Sequence, residues 1–146
     1  MNSPAQPKFS WSDAWLLHAI GLAAAEHPAT LKEIIGMGDA VEKSVFSFEE
    51  ISSGLAKLES VGYVKSAGGG FELQPAVKQR FLSETSENDR NARSWFQRFL
   101  NAAAWSEQAE RDGPDRSWRY PGLTREAVAA AFGEYQTEIA SKLEEL

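Results

Sequence analysis

The stretch that decides the fold runs from residue 47 to residue 73 and reads SFEEISSGLAKLESVGYVKSAGGGFEL. Its first half predicts a helix, because Ser47 and Glu50 occupy the two positions of a capping box. Apolar residues then recur at spacings of three and four, which places them on one helix face. They are Phe48, Ile51, Leu55 and Leu58. Gly62 favours a left-handed C-terminal conformation, so we expect the helix to stop there.

The second half of this stretch predicts a tight two-stranded ribbon. Residues 63–65 and 71–73 are strand-like, and residues 66–70 connect them. Gly68, Gly69 and Gly70 suit a turn that needs positive φ. A phosphate-binding loop is disfavoured, because no Lys-Ser or Lys-Thr pair follows the glycines.

Two helices are predicted upstream of the ribbon. The first runs from about Asp13 to Glu26 with Ser12 as its N-cap, and it is nearly uncharged, which is typical of a central, covered helix. The second begins after Thr30, which starts another capping box. Glycines at positions 36 and 38 each lower helix propensity by roughly 1 kcal/mol relative to Ala and predict a bend or a break. After the ribbon, Pro75 is expected to open a further helix.

The remaining residues, 84–146, predict a C-terminal extension of two helices. The first covers about 92–110, and the second follows a cap at Thr124 and runs to the end of the sequence. Its apolar residues are spaced four, three, four and four apart: Val128, Phe132, Tyr135, Ile139 and Leu143. Each would cost roughly 1.5–3 kcal/mol if left in water, so we expect this stripe to pack on its own domain or to form a homodimer interface.

Composition limits the possible classes of protein. The chain has 146 residues, a net charge of -6 and no Cys, which excludes disulfides and thiolate metal sites. Residues 1–11 are expected to be a flexible N-terminus without the pattern of a signal peptide, and no apolar run suits a membrane span. We therefore predict a cytoplasmic protein that does not bind membranes.

No catalytic or metal site is predicted. The two histidines, His18 and His27, lie nine residues apart with no carboxylate at metal-ligand spacing, so zinc is disfavoured. No Ser, His and Asp arrangement stands out. An enzyme is the least favoured class, and we expect no cofactor.

Two further sets of residues leave alternatives open. Residues 78–98 carry a local charge of +2 and could bind DNA or an acidic partner, although a solvated helix face is favoured. The aromatic set could bound a ligand pocket, although core packing is favoured. Its members are Trp95, Phe99, Trp105, Trp118 and Tyr120.

The order of these elements resembles that of winged helix-turn-helix regulators of the MarR and PadR type. Residues 55–64, LAKLESVGYV, match the family's Leu-x-x-Leu helix end followed by Gly and an aliphatic strand. Residues 71–76, FELQPA, are similar to the family's return strand and to the start of the Leu-Thr-x-x-Gly motif that leads into its next helix. In this chain Gln74 stands in place of the motif's Thr, and Val77 in place of its Gly. The resemblance covers about residues 12–83, and residues 39–48 are also similar to those of uncharacterised bacterial winged-helix proteins.

The resemblance implies a mainly α (α+β) fold: a winged helix-turn-helix domain with a two-stranded β wing, followed by two C-terminal helices. In such regulators the exposed face of the third helix enters the major groove, and the tip of the wing reaches the minor groove or the phosphates. The face mapped onto this chain consists of Glu49, Ser52, Ser53, Ala56, Lys57 and Ser60. The candidate DNA-binding residues are Ser52, Ser53 and Lys57 on the helix and Lys65 on the wing.

Local charge opposes this implied function. Residues 47–73 contain two Lys and four Glu, a net charge of -2, whereas DNA affinity depends mainly on cations that neutralise phosphates. Two hypotheses follow. The protein is a DNA-binding transcriptional regulator that binds double-stranded DNA, or it is a winged-helix protein–protein interaction module that does not bind DNA.

Overall fold

The computed structural model describes residues 9, 11–84, 95, 96, 99 and 123–144. Within these residues the protein is mainly helical, with five helices and one two-stranded antiparallel sheet after the third helix, so the predicted α+β class is confirmed. The elements are α1 (Trp11–Ala23), α2 (Leu31–Glu42), α3 (Phe48–Ser60), β1 (Val64–Ala67), β2 (Gly70–Leu73), α4 (Pro75–Glu84) and α5 (Arg125–Glu144).

Both predicted capping boxes are present. The Thr30 hydroxyl accepts from the backbone N–H of Glu33 at 3.2 Å, and the Glu33 carboxylate accepts from the backbone N–H of Thr30 at 3.0 Å. Ser47 and Glu50 form the same reciprocal pair at 3.1 and 2.8 Å. Local sequence therefore fixes the starts of α2 and α3 by satisfying backbone donors that have no partner within the helix.

The two strands form the predicted ribbon, a hairpin in which Lys65 faces Glu72. Gly68 and Gly69 make the turn with φ of 53° and 81°, which confirms the need for positive φ, whereas the third glycine lies in β2. The hairpin is tied to the loop between α1 and α2, because Ala29 and Phe71 exchange backbone hydrogen bonds of 2.8 and 2.9 Å.

Helix α1 is central, as predicted from its apolar composition. It contacts α2, α3 and β2, and the residues from Ala14 to Ile20 are buried. The predicted N-cap is wrong, because α1 begins at Trp11 and Ser12 is a buried residue inside the helix. The Trp11 ring packs 5.5 Å from that of Trp15, one turn on, which favours the extra residues at the helix start.

Helix α2 runs without a break through its two glycines, so the break considered for it is absent. A Cβ on Gly38 would overlap the Phe46 ring, and that ring stacks on Trp15 with centroids 3.8 Å apart. The Trp15 indole N–H donates to the Gly38 carbonyl at 3.0 Å. Tertiary packing against Phe46 and Trp15 therefore outweighs the low helix propensity of glycine at this position.

The C-terminal extension is described in part. The Thr124 hydroxyl accepts from the backbone N–H of Ala127 at 3.0 Å, as expected of the cap of α5. The helix predicted over about 92–110 lies outside the described residues except at positions 95, 96 and 99, and so does most of the predicted flexible N-terminus. None of the described helices is long and apolar enough to cross a membrane.

We expect Gly38→Ala to lower the free energy of unfolding by about 1–3 kcal/mol, although Ala is the better helix former. The reason is that the new Cβ must displace Phe46, which is held by Trp15. Gly133→Ala is the matched control, because no described atom lies within 4 Å of its Cβ position; it should stabilise by about 0.5–1 kcal/mol. Equilibrium urea unfolding measures both, and an undiminished stability of Gly38→Ala would contradict the tight packing.

Candidate functional site

The cation predicted to contact DNA from the third helix, Lys57, points into the protein. Its side chain is 0% exposed, and its Nζ lies 2.5 Å from Oδ2 of Asp13 in α1. The Asp13 side chain is also buried. The two residues therefore form an ion pair inside the core, between α1 and α3.

The close approach of α3 to α1 depends on Gly54. A Cβ at this position would lie 2.5 Å from Cδ2 of Leu16 and 3.2 Å from Oδ1 of Asp13, so a larger residue would force the helices apart. Gly54 lies three residues before Lys57, and residues at this spacing share a helix face. The small residue therefore brings the Lys57 ammonium within reach of the carboxylate.

The prediction that Ala56 and Lys57 lie on an exposed face of the third helix is wrong. Ala56 is 1% exposed, because α3 is covered on more sides than the spacing of its apolar residues indicated. Ser52 and Ser53 are half-buried, and the Ser52 hydroxyl donates to the Glu49 carbonyl at 3.5 Å. Contact between these two serines and DNA stays a prediction.

Lys65, the candidate on the hairpin, keeps an exposed ammonium. Its Nζ lies 3.2 Å from Oε1 of Glu72, the residue opposite it in the hairpin, and its side chain is 41% exposed. The neighbouring carboxylate partly neutralises this cation. Contact between Lys65 and DNA therefore also stays a prediction.

A residue of α5 covers the start of α3. The Arg125 guanidinium lies 2.6 Å from the Glu49 carboxylate and 4.8 Å from the centre of the Phe48 ring. The backbone of Glu49 itself and then Arg125 lower the pKa of the Glu49 carboxyl group. The sequence does not indicate that Arg125 belongs to this surface, because no local pattern links positions that lie 76 residues apart.

The burial of Lys57 changes the charge of the candidate surface. With its ammonium inside the core, residues 47–73 present one Lys against four Glu, a net charge of -3 instead of the -2 read from the sequence. In the described part of the chain, every Lys and Arg except Lys43 and Lys78 forms an ion pair with a carboxylate. The face formed by α3 and the hairpin is therefore acidic.

The basic stretch over residues 78–98 is described only at its start. The Lys78 ammonium donates to the Ala25 carbonyl at 3.0 Å, and Arg80 pairs with Glu84 at 2.9 Å. These contacts fit the favoured interpretation of a helix face with its own ion pairs. The three later cations of the stretch, Arg90, Arg93 and Arg98, lie outside the described residues.

The aromatic residues considered for a ligand pocket contribute to the core where they are described. Trp95 is buried and stacks on Phe99, with centroids 5.1 Å apart and rings 10° from parallel. These two residues, with Arg80 and Glu84, line a cavity of about 430 Å³. The Glu84 carboxylate there accepts from the Trp95 indole at 3.3 Å. The other members, Trp105, Trp118 and Tyr120, lie outside the described residues.

The histidines lie in different surroundings. His18 is buried and its ring stacks 5.0 Å from that of Phe96, whereas His27 is on the surface near Glu33. Among the residues that the structure describes, no group of three or more His, Asp or Glu residues is placed to hold a metal ion.

The predicted interface stripe of α5 has two different surroundings. Val128 is buried and Phe132 is half-buried against the core, so the first half of α5 packs on its own chain. Tyr135 lies over Gly36 of α2 and donates to the Asp39 carboxylate at 2.6 Å. The remaining members, Ile139 and Leu143, are 40% and 63% exposed.

Comparisons with protein-family models, with curated proteins and with solved structures gave no match to this chain.

We expect Lys57→Met to lower the free energy of unfolding by about 3–5 kcal/mol, because it leaves the Asp13 carboxylate buried without its cation. Combining it with Asp13→Leu should restore most of the loss. Lys65→Met is the matched control and should cost less than about 1 kcal/mol, since its ion pair is exposed. Equilibrium urea unfolding gives all three values, and equal costs for Lys57→Met and Lys65→Met would contradict the buried pair.

At high pH the free energy of unfolding of the protein should also depend on the ionisation of Tyr135. Its hydrogen bond to the Asp39 carboxylate, and then burial, raise the pKa of Tyr135 to about 12. Because the pKa of Tyr135 is higher in the folded than in the unfolded state, the protonated hydroxyl group stabilises the folded state below pH 10. This contribution to the free energy of unfolding is lost as the pH rises from 10 to 12. Denaturant unfolding between pH 9 and about 11 should therefore show that the free energy of unfolding falls more steeply with pH for the wild type than for Tyr135→Phe. Parallel curves would refute this role of the hydroxyl group.

Proposed function

We propose that the protein is a winged-helix protein–protein interaction module that does not bind DNA, and that the face formed by α3 and the hairpin binds a basic protein surface. The observation that carries this proposal is the burial of Lys57 against Asp13. It removes the main candidate for a phosphate contact from the helix expected to enter the major groove. It also leaves residues 47–73 with a net charge of -3, of which Arg125 offsets one charge at Glu49.

The winged-helix part of the proposal is supported by the order of elements. Three helices precede an antiparallel hairpin, the third helix begins at a capping box, and the turn of the hairpin is exposed. In this arrangement the third helix is the recognition helix and the hairpin is the wing. A fold of this kind does not determine its ligand, so the chemistry of the exposed side chains has to decide it.

The electrostatic part of the proposal rests on what DNA binding requires. Affinity for a duplex comes largely from Lys and Arg that displace counterions from phosphates. On this face the cation Lys65 is paired with Glu72, and the Arg125 guanidinium, which α5 supplies, is paired with Glu49. A protein surface with Lys or Arg residues complements such a face, because charge of opposite sign steers association.

A DNA-binding transcriptional regulator is the second candidate. It is favoured by the same order of elements and by the position of Lys65 next to the exposed turn of the wing. It requires Lys65 to leave Glu72 for a phosphate, and it needs more cations than the described part of this face contains.

We expect no binding of a fluorescent random duplex at about 50 mM or about 200 mM salt. Glu49→Lys combined with Ser52→Lys should create weak binding that falls steeply with salt, because it supplies the missing cations. Glu134→Lys combined with Thr137→Lys adds the same charge to exposed positions of α5 and should bind less. Wild-type binding at roughly 10⁻⁶–10⁻⁴ M that weakens with salt and with Lys65→Glu would contradict the proposal and support the second candidate.

The partner's binding face is tested by affinity capture from a cell lysate with the same three chains as baits. A protein that binds the α3–hairpin face should be retained by the wild type and by the α5 control, and lost on the Glu49→Lys, Ser52→Lys variant. Retention of the same proteins by all three baits would exclude this face.

A further inference from the structure

The start of α3 carries a small surface site that holds a guanidinium group. Phe48 and Glu49 are the first two residues of this helix, and both contact the side chain of Arg125 from α5. The guanidinium lies 2.6 Å from Oε1 of Glu49 and 4.8 Å from the centre of the Phe48 ring. A carboxylate that pairs with the charge and an aromatic face that meets the planar group are the two features that suit an arginine side chain.

The position of Arg125 is unfavourable for its own helix. It is the first residue of α5, and the N-terminal end of a helix dipole favours anions over cations. Glu49, in contrast, lies in the first turn of α3, where a negative charge is favoured. The guanidinium is therefore held by the groups on α3 and not by the helix to which it belongs.

The contact of Arg125 with α3 is not what keeps α5 in place. Val128 of α5 is buried in the core, and Tyr135 donates to the Asp39 carboxylate of α2 at 2.6 Å. Arg125 and Glu49 are open to water, with side chains 67% and 60% exposed. Ion pairs and cation–π contacts at exposed positions are individually weak. The guanidinium can therefore leave this site while α5 stays packed on α2.

We infer that Phe48 and Glu49 form a binding site for an arginine side chain of a protein partner, and that Arg125 occupies this site until the partner displaces it. The partner's guanidinium then pairs with the Glu49 carboxylate and lies against the Phe48 ring. Arginine is favoured over lysine, because a planar guanidinium can pair and stack at once, whereas an ammonium is a compact, strongly hydrated charge. This inference rests on the proposed function and names the residue type that the basic partner presents to α3.

The internal arginine makes binding an exchange of one guanidinium for another. A site that is free only part of the time binds its ligand with an apparent affinity reduced by that fraction. Removal of Arg125 therefore strengthens binding of an arginine-bearing partner. An ion pair that served only to join α5 to α3 would not have this effect.

Fluorescence anisotropy of a labelled hexa-arginine peptide, with both ends blocked, tests this exchange at about 50 mM salt. Arg125→Gln should lower the dissociation constant by about threefold to tenfold, because it leaves the site unoccupied. Lys142→Gln is the matched control. Lys142 also lies on α5, pairs with a carboxylate and is 68% exposed, so its removal changes the net charge equally. It should change the dissociation constant by less than about twofold.

Two further variants test the groups that form the site. Glu49→Gln should raise the dissociation constant by at least about threefold, whereas Glu134→Gln, which removes the same charge from an exposed position of α5, should have less effect. The wild type should bind hexa-arginine about threefold or more tightly than hexalysine. Phe48→Leu should reduce this preference, because it keeps an apolar side chain but removes the aromatic face. Circular dichroism checks that each variant keeps its helix content.

The outcomes separate this inference from the proposed function. If Glu49→Gln weakens binding but Arg125→Gln strengthens it no more than Lys142→Gln does, the face binds a basic partner and the exchange with Arg125 is refuted. If Glu49→Gln weakens binding no more than Glu134→Gln does, the peptide binds elsewhere, and the proposed function fails together with the inference.

Discussion

The ion pair of Lys57 and Asp13 is the constraint on which the relation between α1 and α3 depends. Two charges withdrawn from water lose their hydration, and they recover it only through close contact with each other and with neighbouring polar groups. The helices that carry them must therefore hold a single register. Gly54 allows that register, because any larger side chain would push α3 away from Asp13 and Leu16.

The same pair determines what the molecule presents to a partner. A lysine that contributes a positive charge to the sequence contributes none to the surface, so the exposed face of α3 and the hairpin is more acidic than the sequence suggests. Arg125 compensates part of this charge at Glu49, but it does so as a bridge from α5. The electrostatic character of the face is thus a result of how three separate elements pack.

Helix α5 shows how one regular sequence pattern can lie partly in the core and partly in solvent. Its regular spacing of apolar residues continues from Val128 to Leu143, whereas α2, on which it packs, is a shorter helix. The start of the stripe is buried, Tyr135 is fixed by Asp39, and the end faces solvent. Spacing alone indicates that an apolar face needs covering, but the length of the neighbouring helix decides how much of it the chain itself covers.

The sequence alone determined the features that depend on neighbouring residues. The capping boxes at Thr30 and Ser47, the Gly68–Gly69 turn and the cap at Thr124 all form where they were predicted, because each is completed within three or four residues. Composition also identified α1 as the central helix. These local signals were enough for the fold class and for the order of the described elements.

The tertiary structure decided which polar residues remain on the surface. The spacing of α3 placed Lys57 outside, and only the approach of α1 at Gly54 turns its ammonium inward. One signal was available, since Asp13 lies in a helix that is otherwise nearly uncharged and predicted to be covered, and such a carboxylate needs a buried cation. Which cation meets it depends on contacts between residues 44 positions apart, and no local pattern encodes such contacts.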